Sequence, residues 1–221
     1  MRDADLPMLR RSRLLAQVPA QDTAAMLDGC SVETMAKGSV LCEQGEKPEL
    51  LHIVLSGQVG LFGEAAGSET LVEFFGPGDA FILAAVMLDA PYLLTARLIE
   101  ESRILMWPAA DFRERLQVNG ALACGASQLL AVYWRTLVSE IKELKLASAT
   151  ERLAAFLLGL APRKDGPVTF SLPGGRRLVA ARLGIKPESL SRLFAALRER
   201  GVTGGGRQVT IADPDRLRDF G

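Results

Sequence analysis

The rhythm of apolar and polar positions changes twice along the chain. From Glu33 to Trp107, short apolar and β-branched runs (SVLCEQG, LLHIVLSGQVGLFG, ETLVEFFGPGDAFI, LTARLIEESRILMW) are separated by Gly, Pro and Asp. Strands at such spacing predict an all-β roll or sandwich. Gly57-Gln58 and Gly76-Pro77-Gly78-Asp79 supply turns. Ahead of this region, Leu6–Leu15 and Asp22–Asp28 read as short helices, with Arg10, Arg11 and Arg13 on a solvated face. Behind it, Pro108 and Asp111 open a helix that Asn119-Gly120 breaks. From Ala121 to Lys145 there is no Pro and only one Gly, Gly125. Leu130, Trp134, Leu137, Ile141 and Leu144 recur there at alternating spacings of four and three. That is an a/d seam, with Lys142 and Lys145 outside it. It suits a dimer contact, with a core helix of one subunit as the alternative.

After Ala147-Ser148-Ala149-Thr150 the pattern changes again. Glu151–Leu160 reads as an apolar helix with Thr150 as N-cap. A turn is expected over residues 162–167, followed by a strand over Val168–Leu172. Pro173-Gly174-Gly175 then lead into LVAARLGIKPESLSRLFAALR, Leu178–Arg198. This reads as two helices joined at Gly184-Ile185-Lys186, the second starting at Pro187, whose fixed φ and missing N–H suit a first helical position. Leu190, Leu193, Phe194 and Leu197 form its buried stripe. Glu188, Ser189, Ser191, Arg192 and Arg198 lie opposite. Such a face suits a major groove, where Arg grips guanine edges and Glu accepts from a cytosine amine. An ordinary helical hairpin produces the same pattern. Residues 201–211 then read as a hairpin, or wing, and Asp213-Pro214 begin a last short helix.

Composition narrows the class. Hydrophobic residues make up 48% of the 221-residue chain, enough for packed cores. The longest apolar run, Phe81–Leu88, falls short of the ~20 residues of a membrane span. The first residues, MRDADLPMLRRSRLL, contain acids and no apolar h-region, so a cytoplasmic protein is expected. Three cysteines, Cys30, Cys42 and Cys124, make neither a disulfide framework nor a zinc pair. Buried thiols are expected of them. His52 is the only histidine, which removes Ser–His–Asp and multi-histidine metal chemistry. Neither GxGxxG nor a P-loop is present, so an enzyme is not expected. Net charge is zero but unevenly spread. Residues 147–221 hold thirteen Lys and Arg against seven Asp and Glu, a net +6, which leaves −6 on residues 1–146. A basic C-terminal part on an acidic partner is the footprint of an attached nucleic-acid module.

AKGSVLCEQGE, the SGQV turn, FFGPGDAF, ATERLAAFLLGLA and the two-helix segment together resemble the CRP/FNR superfamily of bacterial transcription regulators. The resemblance covers nearly the whole chain. It implies an α+β protein: a cyclic-nucleotide-binding-like β-roll with N-terminal helices (1–108), a long dimerisation helix (109–146) and a winged helix–turn–helix (147–221). Double-stranded DNA, a second copy of the chain and RNA polymerase are the partners it implies.

Cyclic-nucleotide binders in this superfamily place Gly-Glu after the PGD turn and Arg-Ser or Arg-Thr later, with Thr-Ser on the dimer helix. The matching places here look like Ile82-Leu83, Tyr92-Leu93 and Leu137-Val138. A buried phosphate requires a cation and several donors, so no cyclic nucleotide is expected. Arg97 matches a family Arg beyond the phosphate contact. No cysteine cluster precedes Cys30, so an FNR-type iron–sulfur cluster is not expected either. AFILAAVMLDAPYLLTARLI with KPESLSR is most similar to the DNR group, denitrification regulators that respond to nitric oxide and for which haem is the proposed cofactor. The resemblance implies an apolar pocket for it, from Leu83, Tyr92, Leu93, Trp134, Leu137 and Val138. His52 would be its imidazole ligand, unless it is a plain strand residue. A regulator of the same fold that is effector-free or controlled by Cys oxidation is the alternative. A β-roll ligand-binding protein without DNA function is a third reading.

The recognition segment matches the pattern E-x-x-S-R. The resemblance implies that Glu188 and Arg192 read a central G·C pair and Ser191 the outer T·A positions, with Ser189 on the same face. The implied operator is TTGAT–N4–ATCAA. Pro187 stands where the cyclic-AMP receptor has Arg, which argues against TGTGA half-sites. Lys186, Arg176, Arg177 and Arg207 are candidate phosphate contacts.

Overall fold

The computed structural model describes residues 5–65, 68–162 and 166–218. The chain divides into two compact units, Met1–Arg135 and Thr136–Gly221. The first holds helices α1 (Leu6–Arg11), α2 (Ala20–Met26), α3 (Leu83–Leu88), α4 (Ala109–Val118) and the start of α5 (Gly120–Leu146). Its strands are β1 (Ser31–Met35), β2 (Val40–Cys42), β3 (Leu50–Ser56), β4 (Val59–Ala65), β5 (Ser68–Phe75), β6 (Ala80–Phe81), β7 (Thr95–Leu98) and β8 (Ser102–Pro108). They form two antiparallel four-stranded sheets, ordered β1-β8-β3-β6 and β2-β7-β4-β5, as the turn spacing led us to expect. Helix α1 stops at Arg11, short of the expected Leu15, because the Ser12 hydroxyl turns back to donate to the Leu9 carbonyl (2.6 Å).

Strand β3 explains why LLHIVLS shows no clean alternation. Both its faces are covered. Leu51, Ile53 and Leu55 pack with Leu9, Leu14, Trp107 and Phe112 beneath the helices. Val54 packs with Phe75, Phe81, Ala96 and Ile104 between the sheets. Successive side chains point to opposite faces, so every position of the strand interior is apolar except His52. At the end of β8, the Trp107 indole N–H donates to Asp111 (2.6 Å), and Arg115 clamps the same carboxylate (2.7 Å). This fixes the first turn of α4, where an acid also complements the helix dipole. Helix α5 enters the core through Leu122, Ala126 and Leu129. Gly125 permits that approach, since a Cβ there would lie 2.1 Å from the Leu14 carbonyl oxygen.

The second unit contains the end of α5, α6 (Ala149–Leu160), β9 (Val168–Ser171), α7 (Arg176–Arg182), α8 (Pro187–Arg198), β10 (Val202–Thr203), β11 (Gln208–Ile211) and α9 (Pro214–Arg218). The sheet order is β10-β11-β9, so the strand over 168–171 joins the wing. Ser148, not Thr150, caps α6. Its hydroxyl accepts from the Glu151 N–H, and Glu151 accepts from the Ser148 N–H (2.5 Å), a reciprocal capping box. Leu153, Leu157, Val179, Leu190, Phe194, Leu197, Val209 and Ile211 form the core. The turn expected over 162–167 includes residues 163–165, which lie outside the described residues. No helix among the described residues is long and apolar enough to cross a membrane.

Candidate DNA interface and sensory residues

The turn between α7 and α8 is closed by backbone chemistry. Gly184 adopts φ +64°, and the N–H groups of Gly184 and Ile185 donate to the carbonyls of Ala181 (3.1 Å) and Ala180 (3.0 Å). This is a Schellman ending, which a Cβ at Gly184 would strain. Lys186 is extended and Pro187 occupies the first position of α8. Leu190, Phe194 and Leu197 are buried, while Glu188, Ser189, Ser191 and Arg192 are exposed. The Ser191 hydroxyl donates to the Pro187 carbonyl (3.3 Å). Arg177, Lys186 and Arg207 are also exposed. Arg176, the fourth candidate phosphate contact, has partners of its own. It is half-buried, its guanidinium lies 4.2 Å from the centroid of the Phe194 ring, and its Nη2 donates to the Gly204 carbonyl (3.3 Å). Arg176 thus fastens α7 to the recognition helix and to the wing.

The seam of α5 lies open from Trp134 onward. Trp134 is 69% exposed and Ile141 52%, and Leu137, Val138 and Leu144 are exposed as well. Within one chain these positions are not a core, which disfavours the single-subunit reading of the seam. A contiguous exposed apolar stripe of this kind marks an interaction face.

The residues expected to form one effector pocket are not brought together in the first unit. Leu83 is buried on the helix side, with Leu51, Trp107 and Phe112. Tyr92 is buried on the opposite side, between the sheets, where its hydroxyl donates to the Leu50 carbonyl (3.3 Å). Leu93 is 84% exposed. The physical reason is α3, a helix not foreseen in the apolar run, which turns Leu83 toward the N-terminal helices. His52 is 1% exposed and stacks on Phe81, with centroids 5.5 Å apart and planes inclined by 13°. Its Nδ1 has no hydrogen-bond partner, and burial pulls its pKa down to about 4, so the ring is neutral. It lines a cavity of about 260 Å³ with Cys42, Tyr92, Glu46 and Glu49. Burial pushes the thiols of Cys42 and Cys30 up to about 11 and about 12. Cys124 is exposed.

Comparison with known proteins adds to this geometry. Residues 32–119 match the cyclic nucleotide-binding domain and residues 151–220 the Crp-like helix-turn-helix domain. The nitrogen fixation regulation protein FixK of Rhizobium meliloti is 28% identical over 196 residues, 86% of each chain. The structure of DNR from Pseudomonas aeruginosa is 26% identical, with 100% of this chain and 99% of that one covered and a TM-score of 0.54. The structure of a candidate cyclic nucleotide binding protein from Ruegeria pomeroyi DSS-3 is 30% identical, with 99% and 97% covered and a TM-score of 0.69.

The chain belongs to the CRP/FNR family of transcription regulators. Members of that family bind DNA and are not enzymes. Ile82, which the resemblance matches to a Gly of cyclic-nucleotide binders, adopts φ +56°. A β-branched residue with positive φ is a genuine outlier. Helix α3 thus begins from a left-handed turn made by a residue with a branched Cβ. Arg97 is gripped at both ends of its fork by Glu69 (2.7 and 3.0 Å) and lies over the Phe62 ring. The contacts of Arg176 with Phe194 and Gly204 were not foreseen from the sequence, although Phe194 had been placed on the buried stripe.

Proposed function

We propose that this CRP/FNR regulator is a homodimer that binds TTGAT–N4–ATCAA-like operators without cyclic nucleotide and acts on RNA polymerase at the promoters it binds. The observation that carries this reading is the exposed row Glu188, Ser191 and Arg192 on α8, held outward by the buried Leu190, Phe194 and Leu197 behind it. Arg reaches guanine acceptors and Glu a cytosine amine. The open seam of α5 supports the second copy, since two-fold dimers read two half-sites about one turn apart. Ile82, Leu83, Tyr92 and Leu93 offer a phosphate no cation, and Glu69 holds Arg97. Sedimentation of the protein with a palindromic duplex tests the proposal. Two chains per palindrome are expected, unchanged by cyclic AMP. One chain per palindrome, or a complex that forms only with cyclic AMP, would contradict it.

Nitric oxide sensed through haem is the signal implied by the resemblance to denitrification regulators. A neutral imidazole with an unpartnered nitrogen is the right chemistry for an iron ligand. The space around His52 is not. The ring is stacked on Phe81 between two sheets, and the cavity beside it, about 260 Å³, is lined by Glu46 and Glu49. Ordinary ligand pockets begin at roughly 300 Å³ and are mostly apolar. The residues present do not fit a porphyrin on His52. Haem-linked sensing therefore requires a different seat, and His52→Ala is expected to leave any haemin absorbance band in place. The redox alternative rests on Cys124, because burial keeps Cys30 and Cys42 protonated and unreactive.

A further inference from the structure

The second unit contains a cavity that the DNA reading does not use. The end of α5, helix α6 and the last turn of α7 enclose about 340 Å³, within the range of small-molecule sites. Leu144 and Phe156 give it an apolar wall. Its charged groups are Arg152, Arg182 and Glu140. Arg182 and Glu140 form an ion pair with each other. Arg152 donates from Nη1 to the Ala147 carbonyl (3.0 Å), while its Nε is buried with no acceptor. A buried donor without an acceptor carries its full desolvation penalty.

Among the described residues Arg152 forms no ion pair, so one positive charge at the cavity is open to an anion. A monoanion balances it, whereas a dianion such as phosphate would bury an excess negative charge. The planar fork of an arginine accepts carboxylate geometry along its edge. We propose that this cavity binds a small monocarboxylic acid with an apolar body, its carboxylate on Arg152 and its body against Phe156 and Leu144. The site is separate from the β-roll cavity beside His52 and from the operator-reading face of α8. Its occupation would bear on the Arg182–Glu140 tether between α7 and α5.

Equilibrium dialysis of full-length protein with 3-phenylpropionate, in the absence of DNA, tests the proposal independently of the operator reading. Saturable binding of one molecule per chain is expected. Arg152→Met should weaken it at least about tenfold, the scale of a charge-assisted contact. Ala155→Phe, at an exposed position lining the cavity, should block it with the arginine intact. His52→Ala should leave it unchanged. The neutral analogue 3-phenylpropanol should bind at least about tenfold more weakly than the acid. No saturation up to about 10 mM, well above the millimolar range of weak specific binding, would overturn the proposal. So would equal binding of the alcohol, or wild-type affinity in both cavity variants.

Discussion

The guanidinium of Arg176 lies over the ring of Phe194, 4.2 Å from its centroid, and reaches on to the Gly204 carbonyl in the wing. One side chain thus ties three parts of the DNA-binding unit together. Arg176→Ala should lower the stability of that unit by about 1–2 kcal/mol, the sum expected of a partly desolvated cation–π contact and one hydrogen bond. It should weaken specific and random DNA alike and leave the salt dependence unchanged. Arg177→Ala, at an exposed position, should instead flatten the log–log salt slope by about one phosphate contact. Binding isotherms at several salt concentrations separate the two behaviours.

His52 makes the first unit sensitive to acid. Burial holds its folded-state pKa at about 4, well below the 6.5 of a free imidazole. The unfolded chain therefore takes up a proton that the folded ring refuses. Stability is complete above pH 6.5 and falls as the pH drops toward 4. About 2 kcal/mol should be lost between pH 7 and pH 4.5. In His52→Phe this component should vanish, so the stability difference between wild type and variant should change with pH by that amount. Urea denaturation at the two pH values measures it.

Ile82 should respond to substitution against the usual order. Its φ of +56° is strained by roughly 1–2 kcal/mol for a residue with a Cβ. Ile82→Gly removes the strain together with the side chain. Ile82→Ala removes the side-chain contacts and keeps the strain. The glycine variant should therefore be more stable than the alanine variant by about 1 kcal/mol, read as a higher Tm. A lower Tm for glycine would show that the turn is unstrained.

What could be read from the sequence was local. Pro187 and Gly184 marked the helix–turn–helix because φ restrictions act within one or two residues. Gly, Pro and Asp marked breaks between the strands, but β1 lies ahead of the first run and was not foreseen. The stripe Leu190–Leu197 and the seam Leu130–Leu144 followed from helical periodicity. Some of what was missed had a local signal too: Ser148-x-x-Glu151 is a capping-box pattern, and Thr150 was the wrong choice of cap. The rest depended on contacts between distant residues. Leu83 and Tyr92 stand nine positions apart, yet α3 sends one to the helices and the other between the sheets. Arg176 reads as a solvated cation until Phe194 and Gly204 are placed beside it. The Arg152, Arg182 and Glu140 cluster joins three helices, and no spacing announces it.

The central claim is that Arg192 reads base identity. Fluorescence anisotropy at fixed salt, with a TTGAT–N4–ATCAA duplex and a random duplex of equal length, tests it most directly. The wild-type protein should favour the operator by about 10³-fold or more. Arg192→Ala should lose about 1–3 kcal/mol per half-site on the operator and far less on random DNA, so that the ratio collapses. A variant that binds both duplexes with the wild-type ratio would contradict the account.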